Sequence, residues 1–549
     1  MSGSRGKVGN KKGLRTLGQA IDANPAKRGR HRRRKRARRF RKIKWALLGV
    51  ALLAFLVVGS GAGYAWYLNK QVTRINVKGL SVGATQGAEG GTENILLVGS
   101  TSRCALTVQS QAYGICSQGV TGVNSDVVMI LHLDPSVPSA SILSIPRDLF
   151  VPNARADGAN KIDAALYEGP SQLVAAIEED LGIPIQHYVE LNFDSFANVV
   201  DALGGIDMYF PEPVFDTYSG LLVTTPGCRH LNGVEALQVV RARHLQYQPP
   251  GNTDPYYRDW PQEAQSDLAR IRRDHEFLRV LATAISKRGL SNPITDEQLV
   301  AGVVGQLTVD NGFSASHMVN FVLTYHGVNI ENAPQLTVPI QLNQVGGYLY
   351  KGGDYGDVEF PVQPEDQQVV DEFLGVPATT NTLSGGQLPQ PSTVTVSVLN
   401  GSGVYNQATT TAQALGQLGF DVVGTGEMQI VGQQAETLVT YSQRTPVDEA
   451  AAQAVAHSIS GAVTLANGFT ADGAQVTVTT GTDFSVNPPP PPPVSPTTAA
   501  GLSTGATAPP PTTTTAAPSD GPLSPPTQAV EALAAWDPRS CTPTGGEGS

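Results

Sequence analysis

The sequence is poor in several features, and each shortage excludes a class of protein. Only 4 of its 549 residues are cysteine, which is too few for a scaffold held together by disulfides, and no Cys/His pair has the spacing of zinc ligands. The phosphate-binding loop G-x-x-x-x-G-K-[ST] and the zinc-protease motif H-E-x-x-H are absent. Whatever chemistry the chain performs must therefore come from other residues.

Basic residues are scarce outside one short arm. Residues 1–44 hold 18 of the 38 Lys and Arg residues and a single acid, Asp22, whereas the rest of the chain holds 20 basic and 46 acidic residues. The formal net charge of −9 therefore averages a strongly basic arm and an acidic remainder. This distribution excludes a chain that binds nucleic acid along its length, and we predict no nucleic-acid partner.

An apolar stretch follows the arm directly. Residues 45–68 contain no Asp, Glu, Lys or Arg, and about 20 such residues span a bilayer. Because positive charge resists translocation, we expect a single-pass plasma-membrane protein with residues 1–44 in the cytoplasm and the bulk of the chain outside it. A cleaved signal peptide is the alternative, and Ser60-Gly61-Ala62 is the only small-residue cleavage candidate.

Apolar runs and helical patterns alternate after a Gly-rich linker at 69–90. Strand-like runs at 94–98, 127–131 and 140–145 suit a sheet that is buried on both faces. Helical patterns cover 170–181, 194–203, 234–243 and 262–288. The sequence therefore predicts an α/β fold over 91–377, a three-layer-like sandwich with a central mixed sheet.

A smaller unit and a tail complete the organisation. After a linker at 378–392, strand patterns and helical patterns at 407–418 and 447–459 predict a small α/β domain over 393–481. The Pro/Thr-rich residues 482–549 predict a disordered tail.

The four cysteines leave two possibilities open. Cys104 and Cys116 flank a polar insert and are placed to close a loop in an oxidising compartment, whereas Cys228 and Cys541 lie far apart in sequence. Four free thiols are the alternative, because spacing does not establish connectivity.

Charged residues gather at the ends of predicted strands and helices in the large domain. Asp126 precedes one strand and Arg147 follows another, while Arg241 and Arg243 lie at a helix end. Arginines offer forked contacts to phosphate oxygens, and a carboxylate such as Asp126 can hold Mg²⁺. The pattern indicates a phosphate or pyrophosphate site. Each group also has a purely structural interpretation. Asp126 would belong to a turn, Arg147 would mark the end of a strand, and Asp267 would pair with Arg270 on one helix.

Read together, these segments resemble the LytR-CpsA-Psr family. The resemblance covers roughly residues 90–290 and is carried by runs that occur in family order: Asn94–Ser100, Ser125-Asp126, Leu143–Leu149, Lys161–Ala165, Gly182–Val189, Asp201–Asp207, His230–Gly233, Arg241–His244 and Asp267–Arg273. The small domain, with Val398–Gly403 and Gly419–Val422, looks like the C-terminal LytR module of actinobacteria.

The resemblance implies a membrane-anchored extracytoplasmic phosphotransferase. Such enzymes move a glycopolymer from a polyprenyl-pyrophosphate carrier to peptidoglycan with the help of Mg²⁺ or Mn²⁺, and the lipid lies in an apolar tunnel, so the implied partners are that glycan carrier, peptidoglycan and membrane lipid. By resemblance, Asp126 is a metal ligand, and Asp126, Arg147 and Asp267 are catalytic. The residues implied to contact pyrophosphate are Arg147, Lys161, Arg241, Arg243 and Arg270.

Two departures from the family pattern bear on activity. Thr101 stands where the family usually has Asp, and a threonine supplies no anionic ligand, so metal binding should weaken unless another carboxylate substitutes. Asp274, where the family often has Gln, is either that substitute or a source of repulsion toward pyrophosphate. A protein of the envelope that binds the carrier lipid with weakened catalysis, or has a regulatory role, is the alternative function.

Overall fold

The computed structural model describes most of the chain beyond the predicted membrane span. The described residues are 70–81, 92–101, 116–118, 122–134, 139–156, 158–252, 256–264, 266–288, 302–314, 317, 333–342, 347–428, 434–482, 484–488 and 533–541. Within these ranges no helix combines the length and apolarity needed to cross a bilayer. The basic arm, the predicted span at 45–68 and Cys104 lie outside the described residues.

A seven-stranded mixed sheet forms the centre of the large domain. Its strands and those around it are β1 Thr73–Ile75, β2 Glu93–Ser100, β3 Ser125–Asp134, β4 Ser139–Ser144, β5 Phe150–Arg155, β6 Gly158–Lys161, β7 His187–Leu191, β8 Ile206–Phe210, β9 Val214–Asp216, β10 Leu221–Val223, β11 Gly227–Leu231, β12 Gln246–Tyr247, β13 Thr308–Asp310 and β14 Gln335–Thr337. The sheet order is β1-β13-β7-β2-β3-β4-β14. Parallel pairs (β1·β13, β2·β7, β4·β14) and antiparallel pairs (β13·β7, β2·β3, β3·β4) confirm the predicted mixed sheet.

Both faces of this sheet are covered, as the near-continuous apolar runs require. Leu96 and Val98 of β2 belong to one core cluster, whereas Ile95 belongs to a second cluster with Val189 and Val309. Successive side chains of a strand point to opposite faces, so a strand that is buried on both sides must be apolar at consecutive positions.

The described residues include seven α-helices of nine or more residues. They are α1 Pro170–Leu181, α2 Phe193–Ala202, α3 Gly233–Arg241, α4 Ser266–Arg288, α5 Glu365–Leu374, α6 Gln407–Gln417 and α7 Pro446–Ala456. The start of α3 is fixed by a capping box, in which the Asn232 side chain accepts from the Glu235 backbone N–H and the Glu235 side chain accepts from the Asn232 N–H. Helix α3 ends at Arg241, one of the predicted site residues.

The second sheet has eight strands and extends beyond the predicted small domain. Its strands are β15 Ile340–Leu342, β18 Glu359–Gln363, β19 Thr395–Asn400, β20 Asp421–Glu427, β21 Thr437–Tyr441, β22 Ile459–Asn467, β23 Val476–Thr480 and β24 Phe484–Val486. A separate hairpin, β16 Leu349–Tyr350 and β17 Gly353–Asp354, lies between β15 and β18 in the chain. The order of the eight-stranded sheet is β15-β18-β22-β21-β23-β19-β20, and β24 pairs with β22. Strands β15 and β18 come from the range assigned to the large domain. The helix predicted over 447–459 ends at Ala456, and β22 begins at Ile459.

Residues 533–541 pack onto the large domain. Strand β25 (Arg539–Ser540) pairs with β8, and Cys541 forms a disulfide with Cys228 of β11. The Trp536 ring stacks on Tyr247 with ring centroids 3.8 Å apart. These residues and β24 differ from the expectation of a disordered tail over 482–549, because buried contacts and a covalent link hold them. Cys116 is disulfide-bonded as well.

Candidate functional site

The predicted site residues meet at one edge of the central sheet. Strand β3 runs antiparallel to both β2 and β4, so the beginning of β3, with Asp126, lies beside the ends of its two neighbours. Arg147 follows β4, and its Nη1 donates to Asp126 Oδ1 at 2.6 Å. Arg243 follows α3, and α4 brings Asp267 and Arg270 to the same edge.

Asp267 joins three arginines. Its Oδ1 lies 3.1 Å from Arg270 Nη2, 3.2 Å from Arg243 Nε and 3.7 Å from Arg147 Nε. The side chain of Asp267 is 6% exposed, so these ion pairs form largely out of water. A carboxylate that is shared among three guanidinium groups holds them in position for an anion, and this arrangement suits a positioning role better than that of a base.

Asp148 pairs with Lys161 and Arg243. The sequence placed Asp148 in a motif but not among the predicted site residues. Its carboxylate lies 2.8 Å from Lys161 Nζ and 3.3 Å from Arg243 Nη2. Burial alone would raise the pKa of Asp148, but Arg147 and the two cations just named outweigh it and hold this pKa below its usual value. Asp148 thus remains ionised and fixes Lys161 beside the arginines.

Arg241 takes a different position from the Asp267 cluster. Its guanidinium lies over the Phe193 ring, 4.6 Å from the centroid, in a cation–π contact. It lines the same cavity as Arg147, Arg243 and Arg270. The structure therefore brings together every residue that the resemblance implied.

An apolar cavity of about 410 Å³ opens behind the arginines. Aliphatic and aromatic side chains make up most of its wall, and its charged lining residues include Asp126, Asp274 and the four arginines. The apolar wall includes Leu97, Val98, Met129, Val189, Leu191, Phe193, Phe196, Val199, Val200, Leu237, Val240, Phe277, Leu278 and Leu281. Such a cavity fits a hydrocarbon chain whose charged end reaches Asp126 and the arginines.

A second cavity of about 460 Å³ lies against the first and is far more polar. Arg147 and Arg243 line both cavities, so the arginine cluster stands between them. The other lining residues are Asp148, Lys161, Asp267, Leu268, Leu342, Asp357, Val358 and Glu359.

Glu359 is a site residue that the sequence did not reveal. It begins β18, is 6% exposed, and its Oε2 has no hydrogen-bond partner. Burial raises the pKa of Glu359 to about 8, and Asp267 and Asp148 add to this rise. No motif surrounds Glu359. It is held at the polar cavity by the pairing of β18 with β15 and by its backbone N–H, which donates to the Asp148 carbonyl oxygen at 3.0 Å.

Thr101 and Asp274, the two departures from the family pattern, have distinct environments. The Thr101 hydroxyl accepts from the Asn124 backbone N–H at 3.0 Å, so it braces the segment that leads into Asp126. Asp274 lines the apolar cavity, and both of its carboxylate oxygens are buried without hydrogen-bond partners. Burial raises the pKa of Asp274 to about 7 against the effect of nearby arginines, and Asp267 and Asp126 add to the rise.

Arg273 lies beneath the site rather than in it. Its Nη1 lies 2.6 Å from Glu263 Oε2 and 3.3 Å from Asp537 Oδ1, and its Nη2 donates to the Ala242 carbonyl oxygen. The side chain of Arg273 is 1% exposed. Sequence reasoning grouped it with the site motif because it shares a helix with Asp267 and Arg270.

Comparison with known proteins places these features in a family. The model of the LytR_cpsA_psr family matches residues 66–359, and that of the LytR cell envelope-related transcriptional attenuator (LytR_C) matches residues 393–484. Similar to this chain are two proteins of Corynebacterium glutamicum. They are the probable cell wall biosynthesis protein LcpB, 34% identical over 260 residues (47% of this chain, 56% of LcpB), and the cell wall biosynthesis protein LcpA, 27% identical over 476 residues (79% and 85%).

A third relative and a solved structure complete the comparison. The polyisoprenyl-teichoic acid–peptidoglycan teichoic acid transferase TagT of Bacillus subtilis is 28% identical over 289 residues, which cover 50% of this chain and 80% of TagT. The LytR-Csp2A-Psr enzyme from Actinomyces oris matches with a TM-score of 0.40 and 23% identity, over 55% of this chain and 95% of that one. The match to LcpB spans little more than half of that relative. The LytR_cpsA_psr family model covers more than half of the residues of this chain, and the chain therefore belongs to the LytR_cpsA_psr family.

Proposed function

We propose that this chain is a phosphotransferase that moves a glycopolymer from a polyprenyl-pyrophosphate carrier to peptidoglycan during cell wall assembly. The observation that carries the proposal is the position of Arg147 and Arg243 between an apolar and a polar cavity. The carrier has matching parts in the same order: a hydrocarbon tail for the apolar cavity, a pyrophosphate for the arginines and a glycan for the polar cavity. The similarity to TagT, which is named as a polyisoprenyl-teichoic acid–peptidoglycan teichoic acid transferase, supports this class of donor and acceptor.

The arginine cluster is built to bind the pyrophosphate. Arg147, Arg243 and Arg270 converge on the single carboxylate of Asp267, and Arg241 faces the same cavity. Guanidinium groups bind phosphate oxygens through forked, charge-assisted hydrogen bonds. Bound there, the pyrophosphate would lie at the mouth of the apolar cavity, with the glycan directed toward the polar one.

The transfer step is an in-line displacement at phosphorus. An acceptor hydroxyl oxygen forms a bond to the phosphorus that bears the glycan, and the bond from this phosphorus to the bridging oxygen breaks. Polyprenyl phosphate leaves, and the glycan remains on the acceptor through a phosphodiester. Glu359 is placed to accept the hydroxyl proton, because it lines the polar cavity with an unpaired oxygen.

The carboxylates at the site suit a divalent cation. Asp126 and Asp274 line the same cavity. The Asp274 oxygens accept no hydrogen bond, and Arg270 Nε is 3.8 Å from Oδ2, so a cation would supply the partner they lack. These two residues would hold Mg²⁺ or Mn²⁺, with Asp274 in place of the carboxylate that Thr101 lacks. When bound, the cation would neutralise charge on the pyrophosphate.

Two features support a location outside the cytoplasm. The stretch at 45–68 has the composition of a membrane span and follows a strongly basic arm. The Cys228–Cys541 disulfide is typical of proteins in oxidising compartments. We therefore propose a single-pass plasma-membrane protein with its folded domains on the outer side.

The test uses the full-length chain in detergent with Mg²⁺, a polyprenyl-pyrophosphate glycan and a peptidoglycan acceptor. We expect transfer by the wild type and its loss in Asp126→Asn and Arg243→Ala. Arg229→Ala is the matched control, because Arg229 is an exposed arginine that lines neither cavity. Transfer that survives in Arg243→Ala would contradict the proposal.

The second candidate function, a protein that binds the carrier lipid without turning it over, rests on Thr101. Its hydroxyl is engaged with Asn124, and it adds no charge beside Asp126. Tight binding of the lipid with no transfer at any Mg²⁺ or Mn²⁺ concentration would favour this second function.

A further inference from the structure

A group of metal-ligand side chains lies at the opposite edge of the central sheet from the arginines. Glu93, His187 and His317 each offer one ligand atom, and these atoms all lie within 4.8 Å of one another. Glu93 begins β2, whose other end borders the arginine site, and six residues of strand span about 20 Å. The group is therefore separate from the arginine cluster.

We propose that Glu93, His187 and His317 form a binding site for Zn²⁺. Two imidazoles and one carboxylate are a ligand set that zinc accepts, whereas Mg²⁺ prefers oxygen ligands throughout. Zinc sites with three protein ligands keep their fourth position for water or another group. The proposal goes beyond the transferase function and does not depend on it.

The pairing of strands brings the two buried ligands together. Strands β2 and β7 are parallel, and His187, the first residue of β7, pairs with Ile95 of β2. Their beginnings therefore meet at one edge, where Glu93 is 3% exposed and His187 is 7% exposed. His317 follows β13 and is half-buried, and its Nε2 lies 3.3 Å from Glu93 Oε1. Zinc–ligand bonds of ~2.1 Å in tetrahedral geometry separate ligand atoms by about 3.4 Å.

The surroundings of His187 prepare it to bind a metal. Asp310 Oδ2 accepts from His187 Nδ1 at 3.0 Å, so the proton lies on Nδ1 and the lone pair of Nε2 is available. In zinc sites, a ligating histidine commonly donates its other ring N–H to a carboxylate in this way. Asp310 also accepts from the backbone N–H groups of Tyr188, Gly312 and Phe313, which fix its position.

Glu93 carries the second independent observation. Its Oε2 is buried and has no hydrogen-bond partner. A buried carboxylate oxygen without a partner is unfavourable, and a cation between Glu93 and the two histidines would satisfy it. A plain Glu93–His317 ion pair is the competing explanation, and it leaves this oxygen without a partner.

The proposed ion would join β2 and β7 to the segment after β13, the strand that pairs with β1. Strand β1 pairs with β13, with Ile75 opposite Asp310, and Arg74 Nη1 donates to the Phe313 carbonyl oxygen at 2.7 Å. The Phe313 ring stacks on His187, with centroids 4.5 Å apart. The zinc ligands and the residues that follow the predicted membrane span therefore share one packed cluster.

The experiment measures Zn²⁺ binding to the full-length chain, purified in detergent with an affinity tag free of histidine and stripped with a chelator. We expect one Zn²⁺ per chain by competition with a chromophoric chelator, and Co²⁺ should give the visible bands of a four-coordinate site. Glu93→Gln and His317→Gln should each weaken binding by 100-fold or more. Asp310→Asn should weaken it by about 10–100-fold, through the orientation of His187.

Two control variants distinguish Zn²⁺ binding at this site from binding elsewhere on the chain. His230→Gln changes an exposed histidine that pairs with Asp207 and should leave Zn²⁺ binding unchanged. Asp126→Asn should also leave it unchanged, even where glycopolymer transfer is lost. Because His317 is half-buried, its variant should fold as the wild type does, by circular dichroism. The proposal is wrong if the wild type binds no stoichiometric Zn²⁺, or if binding persists in folded His317→Gln.

Discussion

Arg273 donates a hydrogen bond from Nη2 to the carbonyl oxygen of Ala242 at 2.5 Å, and Ala242 lies between Arg241 and Arg243. A fully buried arginine of α4 thus fixes the backbone that carries two of the arginines that line the apolar cavity. The other partners of Arg273 are Glu263 and Asp537. Asp537, far along the chain, therefore helps to hold the arginine that fixes this backbone.

Replacement of Arg273 should therefore destabilise the fold as well as the site. In Arg273→Met, Glu263 and Asp537 keep their buried charges without this partner, and we expect the free energy of unfolding to fall by about 3–5 kcal/mol. Denaturant unfolding checks this, with Arg229→Ala as the surface control. A loss of less than about 1 kcal/mol would mean that Arg273 does not hold these carboxylates.

Glu359 should set the pH dependence of transfer. A base must be deprotonated to act, so with its pKa of about 8 the value of kcat/KM should rise as pH increases through this region. Glu359→Gln should lower kcat/KM by roughly 100-fold or more and abolish this rise, while binding of the carrier lipid persists. Glu168→Gln, at an exposed glutamate, is the control. An unchanged pH profile in Glu359→Gln would assign the base to another residue.

Asp274 should make stability depend on pH. Because its pKa in the folded chain, about 7, exceeds its ordinary value, folding favours the protonated form. The stability that this group contributes is present below the ordinary pKa and is lost as pH rises through 7. Relative to Asp274→Asn, the wild type should lose about 1–4 kcal/mol between pH 5 and pH 8 without divalent cations.

Unfolding measured in denaturant across that pH range checks the Asp274 prediction. Addition of Mg²⁺ at pH 8 should restore stability to the wild type and not to Asp274→Asn, if Asp274 holds the cation. Equal pH dependence in the two proteins would show that the group titrates normally.

Thr101→Asp tests whether the threonine limits use of the metal. An aspartate can accept the same hydrogen bond from the Asn124 N–H and adds an anion beside Asp126. We expect the Mg²⁺ concentration for half-maximal transfer to fall by roughly tenfold. Thr101→Asn, which accepts the bond without charge, should not lower it. A fall in both variants would point to packing rather than charge.

Local sequence patterns predicted much of the central fold. The predicted helix at 170–181 coincides with α1, and the predicted strands at 94–98, 127–131 and 140–145 match β2, β3 and β4 to within a few residues. Two capped ends explain the first match, because Pro170 starts the helix and Gly182 ends it in the left-handed conformation.

Site residues that follow strand and helix ends were predictable, and those brought in by distant segments were not. Arg147 follows the end of β4, where the run Pro-Arg-Asp stands out. Glu359 reaches the polar cavity from a strand of the second sheet, and no pattern in its own segment marks it. Asp537 lies in a Pro/Thr-rich context that predicts disorder. Glu93 and His187 are 94 residues apart, so no ligand spacing joins them.

The Cys228–Cys541 bond has a consequence for the fate of the chain after proteolysis. It closes a covalent ring of 313 residue steps that includes the second sheet and the Pro/Thr-rich stretch. A single cut within 489–532 would open this ring without releasing the terminal peptide, which would remain attached to β11. The protein would thus keep its mass under oxidising conditions and separate into two fragments only on reduction.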